Sequence, residues 1–230
     1  MCFGLQKLTL LDYPGKVACT IFSAGCNFRC PFCHNASLVS GSGELPFAFE
    51  DVVSFLQKRR GVLDGVCFTG GEPLLNDAVQ ELAKIAKNLG YMVKLDTNGS
   101  FPEKLQTAID STWVDYVAMD IKSSIGRYHL LCGNNRIVDK VQKSVELLKN
   151  SNVEFEFRTT VTGNLHRVED FAEIGRWIAP VKRYFLQPYV DSGDVLDRDN
   201  AGNFAVPEAM LKECLAAVQE FVPRAEIRGR

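Results

Sequence analysis

The chain has 230 residues, a formal net charge of −2, and 46% apolar against 23% charged residues. That length can bury one sizeable core, and the composition is that of a globular protein rather than a disordered one. Lys and Arg are scattered, apart from Lys58-Arg59-Arg60 closing a helical pattern before Gly61, so no basic stripe marks a nucleic-acid partner.

The opening Met1-Cys2-Phe3-Gly4 lacks the charged stretch and apolar run of a signal peptide. No apolar run approaches the roughly 18 residues of a membrane span. A cytoplasmic protein without membrane association is expected. Its eight cysteines are then thiols rather than a secreted disulfide framework.

Residues 1–16 read as an N-terminal extension, with a short edge strand over 5–11 and a turn at Asp12-Tyr13-Pro14-Gly15. A βα core follows over 17–190. Strands are expected over 17–22, 66–69, 92–96, 116–120, 153–161 and 183–187. Helical stripes lie between them: Phe49, Val52, Val53 and Leu56; Val79, Leu82, Ala86 and Leu89; Val138, Val141, Val145 and Leu148; Val168, Phe171, Ile174 and Ile178. Residues 40–43 and 191–203 read as loops. The last segment, 191–230, ends in a helix opening with Pro207 at its first position and turning Leu211, Leu215, Val218 and Val222 inward. About six βα units fall short of an eightfold barrel. The expected fold is α/β, a partial, laterally open (β/α)6 barrel of parallel strands in a single domain over 1–230.

Several strands end in polar residues: Thr69 before Glu72, Asp96-Thr97-Asn98, Asp120 before Lys122, and Gln187. The carboxyl ends of parallel strands line the site in barrels and open sheets alike. Cys26, Cys30 and Cys33 follow the first core strand in a C-x3-C-x2-C spacing. Three such thiolates can wrap one corner of a 4Fe-4S cluster and leave one iron open. The alternative is structural zinc held by Cys26, Cys30, Cys33 and His34, or a zinc-stabilised binding module. His34 adjoins Cys33 too closely for easy convergence, and no second knuckle follows. Cys2, Cys19, Cys67, Cys132 and Cys214 are dispersed and read as small hydrophobes or inert thiols.

Gly70-Gly71-Glu72-Pro73 closes the next strand, where glycines allow positive φ and close backbone approach. Glu72 can offer its carboxylate to an ammonium. Asp96-Thr97-Asn98-Gly99 and Asp120-Ile121-Lys122 each read either as turns or as ribose- and cation-binding acids, with Lys122 offsetting a carboxylate. Arg158, Gln187 and Tyr189 lie at later strand ends. His129 and His166 fall in loop-like segments and read as solvent-facing; His34 reads as a packing residue.

The cysteine spacing after the first strand, with Phe32 before the third cysteine and Gly70-Gly71-Glu72 one strand later, resembles the radical S-adenosylmethionine superfamily. D-T-N-G followed by D-x-K resembles its glycyl-radical-enzyme activases. Gly4-Leu5-Gln6-Lys7, the Asp12–Lys16 turn and Cys33-His34-Asn35 are similar to the activases of anaerobic ribonucleoside-triphosphate reductases. The resemblance covers most of 4–190. It implies Cys26, Cys30 and Cys33 as cluster ligands and S-adenosylmethionine as the molecule cleaved. Phe32, Gly70, Gly71, Glu72, Asp96, Thr97, Asp120 and Lys122 would contact it, with Arg158 and Gln187 within reach. In some activases a monovalent cation binds near the matching acids. The implied partner is a glycyl radical enzyme, with flavodoxin or ferredoxin as electron donor. An activase of another glycyl radical enzyme, or a radical enzyme acting on a small molecule, is the rival.

Overall fold

The computed structural model describes residues 2–133 and 137–229. In chain order the elements are β1 (Cys2–Thr9), β2 (Ala18–Ser23), α1 (Ala36–Ser40), β3 (Phe47–Ala48), α2 (Phe49–Lys58), β4 (Gly65–Gly70), α3 (Asp77–Asn88), β5 (Met92–Thr97) and α4 (Pro102–Asp110). They continue with β6 (Tyr116–Asp120), α5 (Tyr128–Cys132), α6 (Val138–Lys149), β7 (Glu154–Val161), α7 (Val168–Ile178), β8 (Tyr184–Pro188), α8 (Glu208–Gln219) and β9 (Glu226–Ile227).

One sheet holds all nine strands in the order β3-β1-β2-β4-β5-β6-β7-β8-β9. β1 pairs antiparallel with β2 and β3, and every pairing from β2 to β9 is parallel. The sheet does not close. It is the expected open α/β arrangement of parallel strands with crossover helices, as βα alternation dictates.

Strand register sorts side chains onto two faces with a period of two. Cys19, Ile21, Val66, Phe68, Val93, Leu95, Val117, Met119, Phe157 and Leu186 alternate onto the helix-covered face, each at most 1% exposed. Against them pack Val52 and Leu56 of α2, Val79, Leu82 and Ala86 of α3, Val141, Val145 and Leu148 of α6, and Phe171, Ile174 and Ile178 of α7. Burying each such aliphatic side chain contributes about 1.5–3 kcal/mol, so this face carries the stability. The other face carries Thr20, Cys67, Thr69, Lys94, Asp96, Asp120, Glu156, Arg158 and Thr160. Its polarity frees it for chemistry.

Some expectations need correction. The first strand runs over Cys2–Thr9 and sits second in the sheet, because the two-residue β3 covers its outer edge; Leu10 and Leu11 lie beyond it, 69% and 89% exposed. The last helix begins at Glu208 with Pro207 as its cap. The segment expected as loop over 191–203 contains a 3-10 helix, Arg198–Phe204. His129 is solvent-facing but on α5. His166 is 3% exposed: its Nδ1 meets the Thr162 N–H at 3.1 Å and its Nε2 the Lys122 carbonyl at 2.9 Å. The Lys122 carbonyl comes from 44 residues away, out of sight of local sequence, while Thr162 lies in the same loop.

Candidate active site

A cavity of about 440 Å³ opens at the carboxyl ends of the parallel strands. Its walls include Cys26, Cys30, Phe32, Cys33 and His34 from the loop after β2, Gly70 and Gly71 from β4, Asp96 and Thr97 from β5, Asp120 and Lys122 from β6, Arg158 from β7 and Gln187 from β8. All but one of the sequence-predicted site residues therefore share one cavity; Glu72 is the exception. A larger hollow of about 1070 Å³ lies among Met92, Asp115 and Glu154 at the opposite strand ends, and none of the expected site residues line it.

The cysteine loop is held from three sides. Asn27 donates to Ser100 Oγ at 2.9 Å and accepts from Asn98 Nδ2 at 3.0 Å. Cys132 O accepts from Arg29 N at 3.0 Å. From the C-terminal segment, Leu196 N donates to Cys33 O at 3.0 Å, and Asp197 N to Pro31 O at 2.9 Å. Asp194 accepts from the Ser37 hydroxyl at 2.6 Å, tying down α1 just past the loop. Phe32 is buried against the rings of Phe204 and His166. The region after residue 190, which offered no motif, thus backs the loop.

The glycines serve close approach. A Cβ on Gly71 would lie 1.9 Å from Gly25 O, and one on Gly70, at φ +114°, would lie 2.5 Å from Ser23 O. Gly71 N and Glu72 N donate to Ser23 O and Gly25 O at 2.9 and 2.8 Å, lashing the end of β4 to the start of the cysteine loop. Any side chain here would wedge the two apart.

Glu72 faces inward. It is fully buried and accepts from Leu74 N at 3.1 Å, Thr97 Oγ1 at 2.8 Å and Asn98 N at 2.7 Å, joining the Gly-Gly turn to the end of β5. Burial raises its pKa to about 7, the three hydrogen bonds offsetting only part of that cost. Here the carboxylate braces the turn against β5 and is not among the residues lining the cavity.

The cavity floor is an ion network. Arg158 meets Asp120 Oδ1 at 3.0 Å and Asp96 Oδ2 at 3.3 Å; Lys122 meets Asp120 Oδ2 at 2.9 Å; Lys94 pairs with Asp96 Oδ1. Burial alone would raise both carboxyl pKa values, yet the cations outweigh it and hold Asp96 and Asp120 below the ordinary carboxylate range. Burial pushes the Cys30 thiol up to about 12 and raises Cys26, while the Lys122 charge draws both down in part. His34, expected as a packing residue, is instead exposed on the cavity wall, where partial desolvation and then the Lys122 charge lower its pKa. Sequence reasoning passed over Lys94, Asn98 and Thr160. Lys94 left a signal: a lone charge inside an apolar strand, two residues before Asp96.

No helix among the described residues is long and apolar enough to cross a membrane. Comparison with known proteins then fixes the family. A family model described as the Radical SAM superfamily matches residues 20–178. A Methanocaldococcus jannaschii protein, provisionally named a glycyl-radical enzyme activating enzyme, is 32% identical over 233 residues, covering 98% of this chain and 94% of the relative. The pyruvate formate-lyase-activating enzyme of Clostridium pasteurianum is 28% identical over 197 residues, 81% of this chain and 80% of its own length. The 7-carboxy-7-deazaguanine synthase of M. jannaschii is 26% identical over 217 residues, 86% and 85%. Among solved structures, anSMEcpe with bound AdoMet superposes with a TM-score of 0.64 at 20% identity, over 86% of this chain and 57% of that one. That likeness shows the shared fold. This chain belongs to the radical SAM superfamily, and it is a radical SAM enzyme whose family implies a 4Fe-4S cluster and S-adenosylmethionine.

Proposed function

We propose that this chain activates a glycyl radical enzyme, and that its partner is an anaerobic ribonucleoside-triphosphate reductase of the cytoplasm. One observation carries the reading: likeness over 98% of the chain to a relative named for activating glycyl radical enzymes. The cavity, opening at the strand ends of a sheet that does not close, supports a bulky protein loop as substrate. The reductase as partner rests on the resemblance of the Gly4–Lys7, Asp12–Lys16 and Cys33–Asn35 segments.

The residues fit a cluster. Cys26, Cys30 and Cys33 line one cavity together. A cubane spreads its ligands across several iron atoms, an arrangement that three thiols lining one cavity suit. The buried Cys30 thiol, which holds its proton when free, is deprotonated by coordination, and Lys122 already favours that charge. When bound, the cluster supplies one electron for reductive cleavage of S-adenosylmethionine, with flavodoxin or ferredoxin as the donor to it.

The chain's own residues then bind and orient. Cys26, Cys30 and Cys33 would hold the cluster. The backbone of Gly70–Gly71 and the ring of Phe32 offer a close, dry surface. Asp96, Thr97 and Asp120 present acceptors to hydroxyl groups, and Arg158, Lys122 and Gln187 hold or extend that set.

The test is anaerobic reconstitution, with 5′-deoxyadenosine and a glycyl electron-spin signal as readouts. The wild-type chain with S-adenosylmethionine, reductant and an anaerobic reductase should give both; Cys30→Ala, still folded, should give neither. 5′-Deoxyadenosine without any glycyl signal across candidate glycyl radical enzymes would reject the activase reading. Turnover of a small molecule would then favour the second reading, which the likeness to a 7-carboxy-7-deazaguanine synthase supports.

A further inference from the structure

We infer that this chain carries its own cation for the Asp96–Asp120 pair, the buried ammonium of Lys94, and binds S-adenosylmethionine without a monovalent metal ion. The activase resemblance implied such an ion beside these acids. The residues present do not fit one. An alkali ion is held by several oxygens, and a carboxylate draws it strongly only where no protein cation has already neutralised that charge. Here every carboxylate oxygen of the pair already faces a protein cation. Asp96 Oδ1 faces Lys94 and Asp96 Oδ2 faces Arg158; Asp120 Oδ1 faces Arg158 and Asp120 Oδ2 faces Lys122.

Charge points the same way. Three cations meet two carboxylates, so the network holds a formal excess of one positive charge before any metal arrives. An added ion would meet repulsion at short range in a partly buried setting, where screening is weak.

The placement of Lys94 follows from the strand. It precedes Asp96 by two residues on β5, so the pleat puts both side chains on the polar face, the ammonium one step deeper than the carboxylate. Lys94 is 2% exposed and absent from the cavity wall, whereas Asp96 lines it. A buried ammonium persists only when paired, and Asp96 is its partner, with the Cys67 sulfur 3.8 Å away. Lys94 is therefore a positioning residue: it fixes one oxygen of Asp96 from below while Arg158 holds the other at the cavity floor. This inference rests on the radical SAM assignment and not on the identity of any partner protein.

The experiment titrates NaCl and KCl into the reconstituted enzyme, with ionic strength held constant by tetramethylammonium chloride. It reads the thermal midpoint and the dissociation constant for S-adenosylmethionine. Neither should change in the wild-type chain. Lys94→Met should weaken binding about tenfold, the size of one lost charge-assisted hydrogen bond, and Na+ or K+ should restore it. Lys94→Arg, which keeps the cation, should stay indifferent to both salts. A saturable response of the wild-type chain to either ion would overturn the inference. So would a folded Lys94→Met chain that ignores both ions. If Lys94→Met does not fold, the wild-type and Lys94→Arg titrations still decide.

Discussion

The polar face of the sheet carries two buried ion clusters, and they are built differently. Toward the amino ends of the strands, Glu156 on β7 is fully buried and saturated. Arg228 reaches both of its oxygens, at 2.7 and 2.9 Å, and the Tyr116 hydroxyl donates at 2.7 Å. The Arg228 guanidinium also lies 3.3 Å over the ring of Phe185, and Tyr13 and Ala18 pack beside Tyr116. One cation matches one carboxylate, and neither Glu156 nor Arg228 is among the residues lining the cavity. Toward the carboxyl ends, three cations share two carboxylates beside a cavity of about 440 Å³. A balanced cluster locks the chain; an unbalanced one next to open space is poised for a ligand. The same strands serve both purposes because two residues along a strand are one step along the same face.

The largest effect should come from the open cluster. Arg158 alone bridges Asp96 and Asp120, so Arg158→Gln leaves both acids short of a partner. Removing one member of a buried ion pair costs about 3–5 kcal/mol, and slack in groups lining a site costs about 10²-fold in rate. Both losses are expected together, read as the midpoint of urea unfolding and as 5′-deoxyadenosine formed per minute. A variant that lost stability while keeping its full rate would make this cluster no different in kind from the one at Glu156.

Glu72 comes next, and its effect is tied to pH. Its ordinary value is 4.5 and its folded value about 7, so between these limits the folded chain keeps a proton that the unfolded chain has released. Stability contributed by Glu72 therefore falls as pH rises through that window, by about 3 kcal/mol in all, and the cost is fully present above pH 7. His34 and His166, held below 6.5 chiefly by desolvation, slope the opposite way over part of the range. Comparison with Glu72→Gln removes their contribution. The advantage of wild type over the variant in urea unfolding should shrink from pH 4.5 to 7.5. A constant difference would show that its three hydrogen bonds hold the carboxylate at its ordinary value.

Much of this was legible in the chain. βα alternation gave the parallel sheet, since apolar runs and amphipathic stripes each have their own period. The spacing of Cys26, Cys30 and Cys33 marked the loop, and the polar strand ends marked the face on which it lies. What stayed hidden depends on contacts distant in sequence. His166 is buried against Lys122 O, 44 residues away, which bonds its Nε2. The 198–204 turn backs Phe32, though its sequence reads as loop. Glu72 turns inward because Thr97 and Asn98, one strand on, supply the donors. Helix α4 was missed because it buries little beyond Pro102, Leu105 and Ala108, too few to show a period. The cation at Lys94 was visible in principle, and reading charges by face rather than by motif would have found it.

The smallest effect should come from the balanced cluster, and it is the sharpest check on the contrast. Arg228→Gln strips Glu156 of its bidentate partner and leaves the Tyr116 hydroxyl as one remaining donor. Because the Arg228 side chain is 37% exposed, water can reach part of the gap, and about 2 kcal/mol is expected rather than the full cost of breaking a buried pair. The rate of S-adenosylmethionine cleavage by the folded variant should match wild type, since neither residue reaches the cavity. Single-turnover formation of 5′-deoxyadenosine, measured well below the unfolding midpoint, checks this directly. A rate loss with stability restored would mean that the two clusters are coupled through Glu156 and Arg158, neighbours two residues apart on the same face of β7. The lower cluster would then tune the upper one, rather than merely hold up the strand on which both stand.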